Sequence, residues 1–389
     1  MMRMWKRLFA YSVLGVALSS VAQVNLRSEV AKPLQAAQEA IQSKQPEEAL
    51  KKIQEARQVA QLTGAEKMLL ERLSVVAAMN AQKFDLAASS LDYLLQSKDL
   101  PEVDRLTLME TMVSVSLRTK DYPRVVEWAR RYLQQGGTNT RIRLALMQSL
   151  AVQGAHQEVL KEMPAKLQAD AAAGKLPDEA ELRMYAFSQQ QVKDEAAYVK
   201  TLTELVKRFP SQAYWGDLLN RIPRQAGFNA RYQLDVFRLM DATDNLEDAE
   251  DYADVAQAAL KAGLPHEAQR MLDKVAQPAS AAALKKQVQQ RVAEDDKAMQ
   301  AIGPNSEDAV LLAQWADVQL SKGAWKAAVP ACEKALAKGG LRREAETRLH
   351  CGIAMFKSGQ TDAAKSMLLS VTGDDTATRL ASLWLNLVK

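Results

Sequence analysis

The sequence predicts an all-α solenoid of stacked helix-turn-helix units, and three observations carry that prediction. Of 389 residues only 16 are glycine and 12 proline, and aromatic residues make up 6%, which argues against a strand-rich body. Ala, Leu, Gln, Glu and Lys are abundant, so local preference is helical nearly throughout. Helical periodicity also comes in paired segments whose small residues recur at a fixed spacing, with a turn residue between them.

The first 22 residues carry three cations (Arg3, Lys6, Arg7), an apolar run from Leu8 to Leu18, and small residues at Ser20 and Ala22. That is the pattern of a secretory signal peptide with cleavage after Ala22, since the run is shorter than the roughly 20 residues a membrane span needs. The expected location is the periplasm, with no membrane span after cleavage. The formal net charge of +4, less those three cations, leaves +1 for the mature chain. So small a charge gives no global attraction to nucleic acid.

The paired segments superpose on their small residues. Ala37 and Ala49, Ala256 and Ala268, Ala316 and Ala328, and Gly352 and Ala364 are each twelve positions apart. Five positions before each second member stands a turn residue: Lys44, Gly263, Gly323 or Gly359. Four and seven positions after it come apolar or small residues, such as Ile53 and Ala56, or Cys332 and Ala335. Small residues at both places let the two helix axes approach to the short end of the usual separation of about 8–10 Å. The residues at four and seven share a face available to the next unit, because one hairpin cannot bury both of its apolar faces.

This pattern resembles the tetratricopeptide repeat (TPR). "WADVQLSKGAWKAAVPACEKAL" and "CGIAMFKSGQTDAAKSMLL" carry the small residue, glycine turn and alanines in that family's order, and "YADVAQAALKAGLPHEAQRMLDKV" and "LQAAQEAIQSKQPEEALKKIQEA" match too. Weaker copies follow between them. The resemblance implies a right-handed superhelix: TPR-like repeats over 31–210, an irregular insertion over 211–245, further repeats over 246–372, and a capping helix over 373–389 with Leu380, Leu383, Trp384 and Leu387 turned inward.

The insertion concentrates Tyr214, Trp215, Phe228, Tyr232 and Phe237 with Arg221, Arg224, Arg231 and Arg238. Two readings stand side by side: aromatics buried in irregular helices that plug the solenoid, or a recognition surface, since Tyr, Trp and Arg dominate binding hot spots. With "LVKRFPSQAYW" before it and "LKAGLPHEA" after it, this stretch also resembles periplasmic TPR proteins found alongside TonB, ExbB and ExbD. That resemblance implies a protein partner from a TonB-type system for outer-membrane transport.

No phosphate loop or nucleophile elbow is present, and no cofactor is expected. His156 and His266 fall near turns, where solvation is expected. Cys332, His350 and Cys351 do not make a metal site, because His350 and Cys351 are adjacent on one helix and diverge by about 100°. Cys332 and Cys351 face each other across neighbouring helices, as a disulfide or as two buried thiols.

In a stack of helix pairs, the first helices line the groove available to a ligand. The residues just after their small positions are Gln38, Val76, Ser114, Gln148, Gln257, Asp317 and Ile353, flanked by Arg72, Asn80, Arg118, Arg141, Lys261 and Lys357. The sequence thus predicts a non-catalytic periplasmic protein-interaction scaffold, with Tyr214, Trp215, Arg221, Arg231, Tyr232, Gln38, Gln148 and Gln257 as candidate partner-binding residues. The alternative is a periplasmic enzyme or glycan-binding protein whose helical array surrounds a cleft.

Overall fold

The computed structural model describes residues 26–276, 278 and 281–388, so the signal-peptide expectation lies outside the described residues. The described residues form α-helices and short 3-10 turns with no strand, and none of the helices is long and apolar enough to cross a membrane. The chain divides into two compact units between Lys193 and Asp194, earlier than the 210/211 boundary that the aromatic segment suggests.

The first unit contains α1 (Ser28–Gln42), α2 (Pro46–Arg57), α3 (Gly64–Asn80), α4 (Phe84–Gln96), α5 (Glu102–Thr119), α6 (Tyr122–Gln134), α7 (Thr140–Val152), α8 (His156–Ala172) and α9 (Glu179–Gln191). Each helix packs on the next in chain order, most closely within the pairs α1–α2, α3–α4 and α5–α6, while α7 packs about equally on α6 and α8. The turns explain the pairing. Lys44 has φ 56°, in the left-handed region. Its N–H donates to the Ile41 carbonyl (3.1 Å) and the Gln45 N–H to the Ala40 carbonyl (2.8 Å), satisfying carbonyls that the end of α1 leaves open. The same two bonds recur after α3 at Gln82 and Lys83, after α5 at Lys120 and Asp121, and after α7 at Gly154 and Ala155. Behind the turns, Leu70, Leu91, Leu94, Met112 and Leu146 are at most 1% exposed and form the core.

Near the end of this unit, Lys166 of α8 is buried between Asp170 and Glu181. Burial alone would push its ammonium down, but hydrogen bonds to the two carboxylates outweigh that and raise it.

The second unit contains α10 (Glu195–Arg208), α11 (Gln212–Arg221), two 3-10 turns (Ile222–Arg224 and Ala230–Tyr232), α12 (Gln233–Ala242), α13 (Ala249–Lys261), α14 (Pro265–Leu272), α15 (Ala282–Ile302), α16 (Ala309–Ser321), α17 (Trp325–Lys338), α18 (Glu344–Lys357), α19 (Thr361–Leu369) and α20 (Asp375–Leu385). Its regular hairpins are α13–α14, α16–α17 and α18–α19. Gly263, Gly323 and Gly359 take positive φ in their turns, with the same pair of bonds as in the first unit. The small residues behave as their spacing requires: Ala256, Ala268 and Ala364 are wholly buried, and Ala328 nearly so. At Gly352 a Cβ would stand 2.7 Å from the Leu368 side chain, so only glycine fits there without a shift.

α17 runs unbroken through Pro330. Cys332 of α17 and Cys351 of α18 are joined by a disulfide, with Cα atoms 5.8 Å apart. α20 packs on α18 and α19 and buries Leu380, Leu383 and Trp384, while Leu387, read as inward from the sequence, is half-buried and Val388 takes the buried place.

Candidate functional site

The groove positions behave differently in the two units. In the first, Gln38 on α1, Ser114 on α5 and Gln148 on α7 are half-exposed, and Asn80, Arg118 and Arg141 are exposed. Val76 departs from the pattern and is buried at 6% exposure. Arg72 of α3 and Asp104 of α5 hydrogen-bond across successive first helices. Arg118 lies 5.9 Å from the centroid of the Phe84 ring.

In the second unit the corresponding positions turn inward. Gln257 is exposed, but Ile353 is buried and Asp317 accepts a hydrogen bond from His350 Nδ1 at 2.7 Å. That bond belongs to a buried charge network which brings α12, α14, α16 and α18 together. His350 Nε2 lies 3.1 Å from Asp235 Oδ1, to which Arg238 Nη1 also donates at 2.8 Å. Arg238 spans onward to Glu267, with Nε donating to Oε1 at 3.0 Å and Nη2 to Oε2 at 2.6 Å, the two-pronged geometry a guanidinium offers a carboxylate.

Protonation states follow from these contacts. Burial by itself would push the His350 imidazolium down, but Asp317 and Asp235 overcome it and hold His350 up at about 10. Burial pushes Asp235 up in turn, and the two cations His350 and Arg238 outweigh it and bring it to about 2. His350 therefore carries protons on both nitrogens at neutral pH. Its 3.0 Å approach to Arg238 Nη1 is then a contact between two donors that share the Asp235 oxygen, not a hydrogen bond between them.

Outside this network, Arg270 of α14 lies 5.3 Å from the Trp325 ring centroid and donates through Nε to the Ser321 carbonyl at 3.4 Å. Lys274 pairs with Asp241. Arg238, Asp241, Glu267, Arg270, Trp325, Ile353, Lys357 and Trp384 are among the residues lining a cavity of about 20 Å³.

The structure places the aromatic segment inside the second unit. Trp215 and Tyr232 are 4% and 3% exposed, so their rings serve as core, and Tyr214 is half-buried. Arg221 pairs with Asp217 and Glu195 and stacks 4.5 Å from the Tyr198 ring. Arg231 pairs with Glu346 and stays exposed. Asn229 donates through its backbone N–H to Thr376 Oγ1 at 3.0 Å and through Nδ2 to Asp374 Oδ2 at 3.3 Å. The segment thus packs onto the last helices of its own unit.

Two histidines expected in solvent are not there. His156 packs edge-on to Phe187, with Nδ1 3.3 Å from Ser188 Oγ. His266 is held beside Asp295, Asp296 and Lys322; burial, with help from Lys322, pushes it down against the pull of the two aspartates. The partners of His266 were not legible because α15 and its aspartates lie outside the repeat spacing, and those of His156 lie on the next helix, α9. No group of His, Cys, Asp and Glu among the described residues is arranged to hold a metal ion.

Hairpins closed by left-handed turns and packed through paired small residues define a TPR-like helical-repeat protein. No protein-family model matches the chain, and no curated protein matches it. Among solved structures it is similar to one described as the structure of Naa15/Naa10 bound to HypK-THB, at 13% sequence identity and a TM-score of 0.25, over 91% of this chain and 64% of that one. The chain thus spans less than two thirds of the length of that neighbour.

Proposed function

We propose that the chain is a non-catalytic scaffold that binds a protein partner along the first helices of its N-terminal unit. The observation that carries this reading is the pair Gln38 and Gln148. Their amides sit half-exposed on the first helices of the first and fourth hairpins, and have no hydrogen-bond partner among the described residues. A partly desolvated amide without a partner inside its own chain is matched well by a partner's backbone. The second unit's inner carboxylates and cations are instead largely consumed by one another.

The compartment in this proposal is the periplasm, reached through the N-terminal signal, and the disulfide between the chain's only two cysteines accords with an oxidising environment. An accessory role in a TonB-type complex rests on the resemblance of the aromatic segment alone. The test is a photo-crosslinking residue placed at Gln38 or Gln148, compared with one at the exposed Lys51 on α2, in intact cells. A discrete adduct from the first two sites only, identified by mass spectrometry as a component of such a complex, is the expected result. Equal adducts from all three sites would sink the groove reading, and a different partner would sink the TonB assignment.

A further inference from the structure

Lys357 is a cation left over. The charges around it are paired: Arg238 with Asp235 and Glu267, His350 with Asp235 and Asp317, Lys274 with Asp241. Lys357 makes no ion pair among the described residues. Its ammonium lies 5.9 Å from the centroid of the Trp384 ring, and its side chain reaches solvent.

Beside it lies the 20 Å³ cavity lined by Arg270, Trp325, Ile353 and Trp384 among others, with room for about one water-sized group. Trp384 is fully buried, yet its indole N–H has no hydrogen-bond acceptor. Unmet buried donors are rare in folded proteins and mark places where an acceptor belongs. The cavity wall is set in advance: Arg270 lies across the Trp325 ring, and a Cβ on Gly323 would stand 3.6 Å from Arg270 Cδ. Surrounding protein also holds the Lys357 ammonium below its ordinary range, first by burial, with Lys274 and Arg270 repelling it against the pull of Asp241 and Asp244.

We propose that this cavity receives one oxygen of a carboxylate group, which accepts from the Trp384 indole N–H and pairs with Lys357 while the rest of the group and its stem lie outside against Trp325. A single unpaired cation matches a monoanion. A dianionic phosphate would carry an excess charge past Asp241 and Glu267, both of which line the cavity. The carboxylate can come from an acidic side chain of a bound polypeptide or from a free small acid. The site is separate from the first unit's groove and stands or falls without it.

The test uses the full chain with ¹⁵N-labelled indoles, the Trp384 resonance being assigned with Trp384→Phe. Acetate, a capped glutamate and a capped glutamine are titrated at ionic strength held constant with chloride. A saturable shift of the Trp384 N–H with acetate or the capped glutamate, and none with glutamine, is expected. Saturation by acetate alone identifies a free acid as the source; tighter binding of the capped glutamate identifies a polypeptide side chain. Lys357→Met, which keeps an unbranched, helix-favouring side chain at the end of α18, should weaken binding about tenfold or more with the circular dichroism unchanged, and Lys357→Arg should restore most of it. No shift, an equal shift with chloride, or unchanged binding by Lys357→Met would overturn the proposal and leave a water molecule as the acceptor.

Discussion

Asp235 and His350, 115 positions apart in sequence, lie 3.1 Å apart in the core of the second unit. This contact, with His350 to Asp317 on its other side, ties the irregular α12 to the regular hairpins of α16 and α18. Removing one member of such a network leaves a buried charge without its counter-charge.

His350→Gln is therefore expected to lower the stability of the second unit by about 3 kcal/mol, read from urea midpoints at neutral pH. The pH dependence has a defined sign. The folded pKa of about 10 lies above the ordinary 6.5, so the imidazolium's contribution is fully present below pH 6.5 and is lost as pH rises through 10. Asp235 works the other way: its contribution is present above 3.8 and lost as pH falls through 2. Wild type should lose stability on the alkaline side, and His350→Gln should flatten that limb. A variant with the same alkaline slope as wild type would show that His350 does not carry it.

The regular hairpins were legible in the sequence because their geometry depends on residues at fixed local spacing. A small residue, a left-handed turn and a second small residue act within twelve positions of chain, and Ala256, Gly263 and Ala268 fall where that spacing puts them. The charge network was not legible. Asp235, Glu267, Asp317 and His350 are separated by tens of residues and meet only because α12 packs onto later helices, which no periodicity encodes. The aromatic segment stood between two readings for the same reason: composition reports that Trp215 and Arg231 occur together, not which of them is buried.

Trp215 and Arg231 now separate experimentally. Trp215→Ala removes a buried ring and should cost about 3–5 kcal/mol. Arg231→Ala removes one partner of an exposed ion pair and should change stability by no more than about 1 kcal/mol. Thermal unfolding followed by circular dichroism checks both, and equal effects would refute the assigned burial.

The bond between Cys332 and Cys351 constrains the unfolded chain over a separation of 19 residues. In the chain-entropy account, a loop of that size is worth about 3 kcal/mol. A Cys332→Ala, Cys351→Ala double variant should lose about that much and become insensitive to reductant. Thiol titration of the denatured protein, isolated without reductant, should find no reactive thiol; finding two would remove the staple.

Gly352→Ala drives a methyl to within 2.7 Å of Leu368 and should destabilise the second unit by about 1–3 kcal/mol. Adding Leu368→Ala opens the space, so the double variant should lose less than the sum of the two singles. A double-mutant cycle measures the coupling, and strict additivity would mean that the two residues do not meet.

The turns of the first unit offer the reverse experiment. Lys44, Gln82 and Lys120 stand at φ 56°, 59° and 59°, where the second unit uses glycine at Gly263, Gly323 and Gly359. A side chain in that region crowds its Cβ against the following carbonyl at about 1–2 kcal/mol, which glycine avoids. Glycine in turn loses more freedom on folding, by roughly 0.5–1 kcal/mol relative to alanine. The first effect is the larger, so Lys44→Gly, Gln82→Gly and Lys120→Gly should each raise stability by a few tenths to about 1 kcal/mol. Because the three sites are in separate hairpins, the gains should add in the triple variant. The same change at Lys51, an exposed residue in the middle of α2, should instead destabilise by about 1 kcal/mol. Urea midpoints of the five proteins against wild type decide the matter, and losses at all three turn sites would mean that the lysine and glutamine side chains hold these turns by contacts that outweigh their backbone strain.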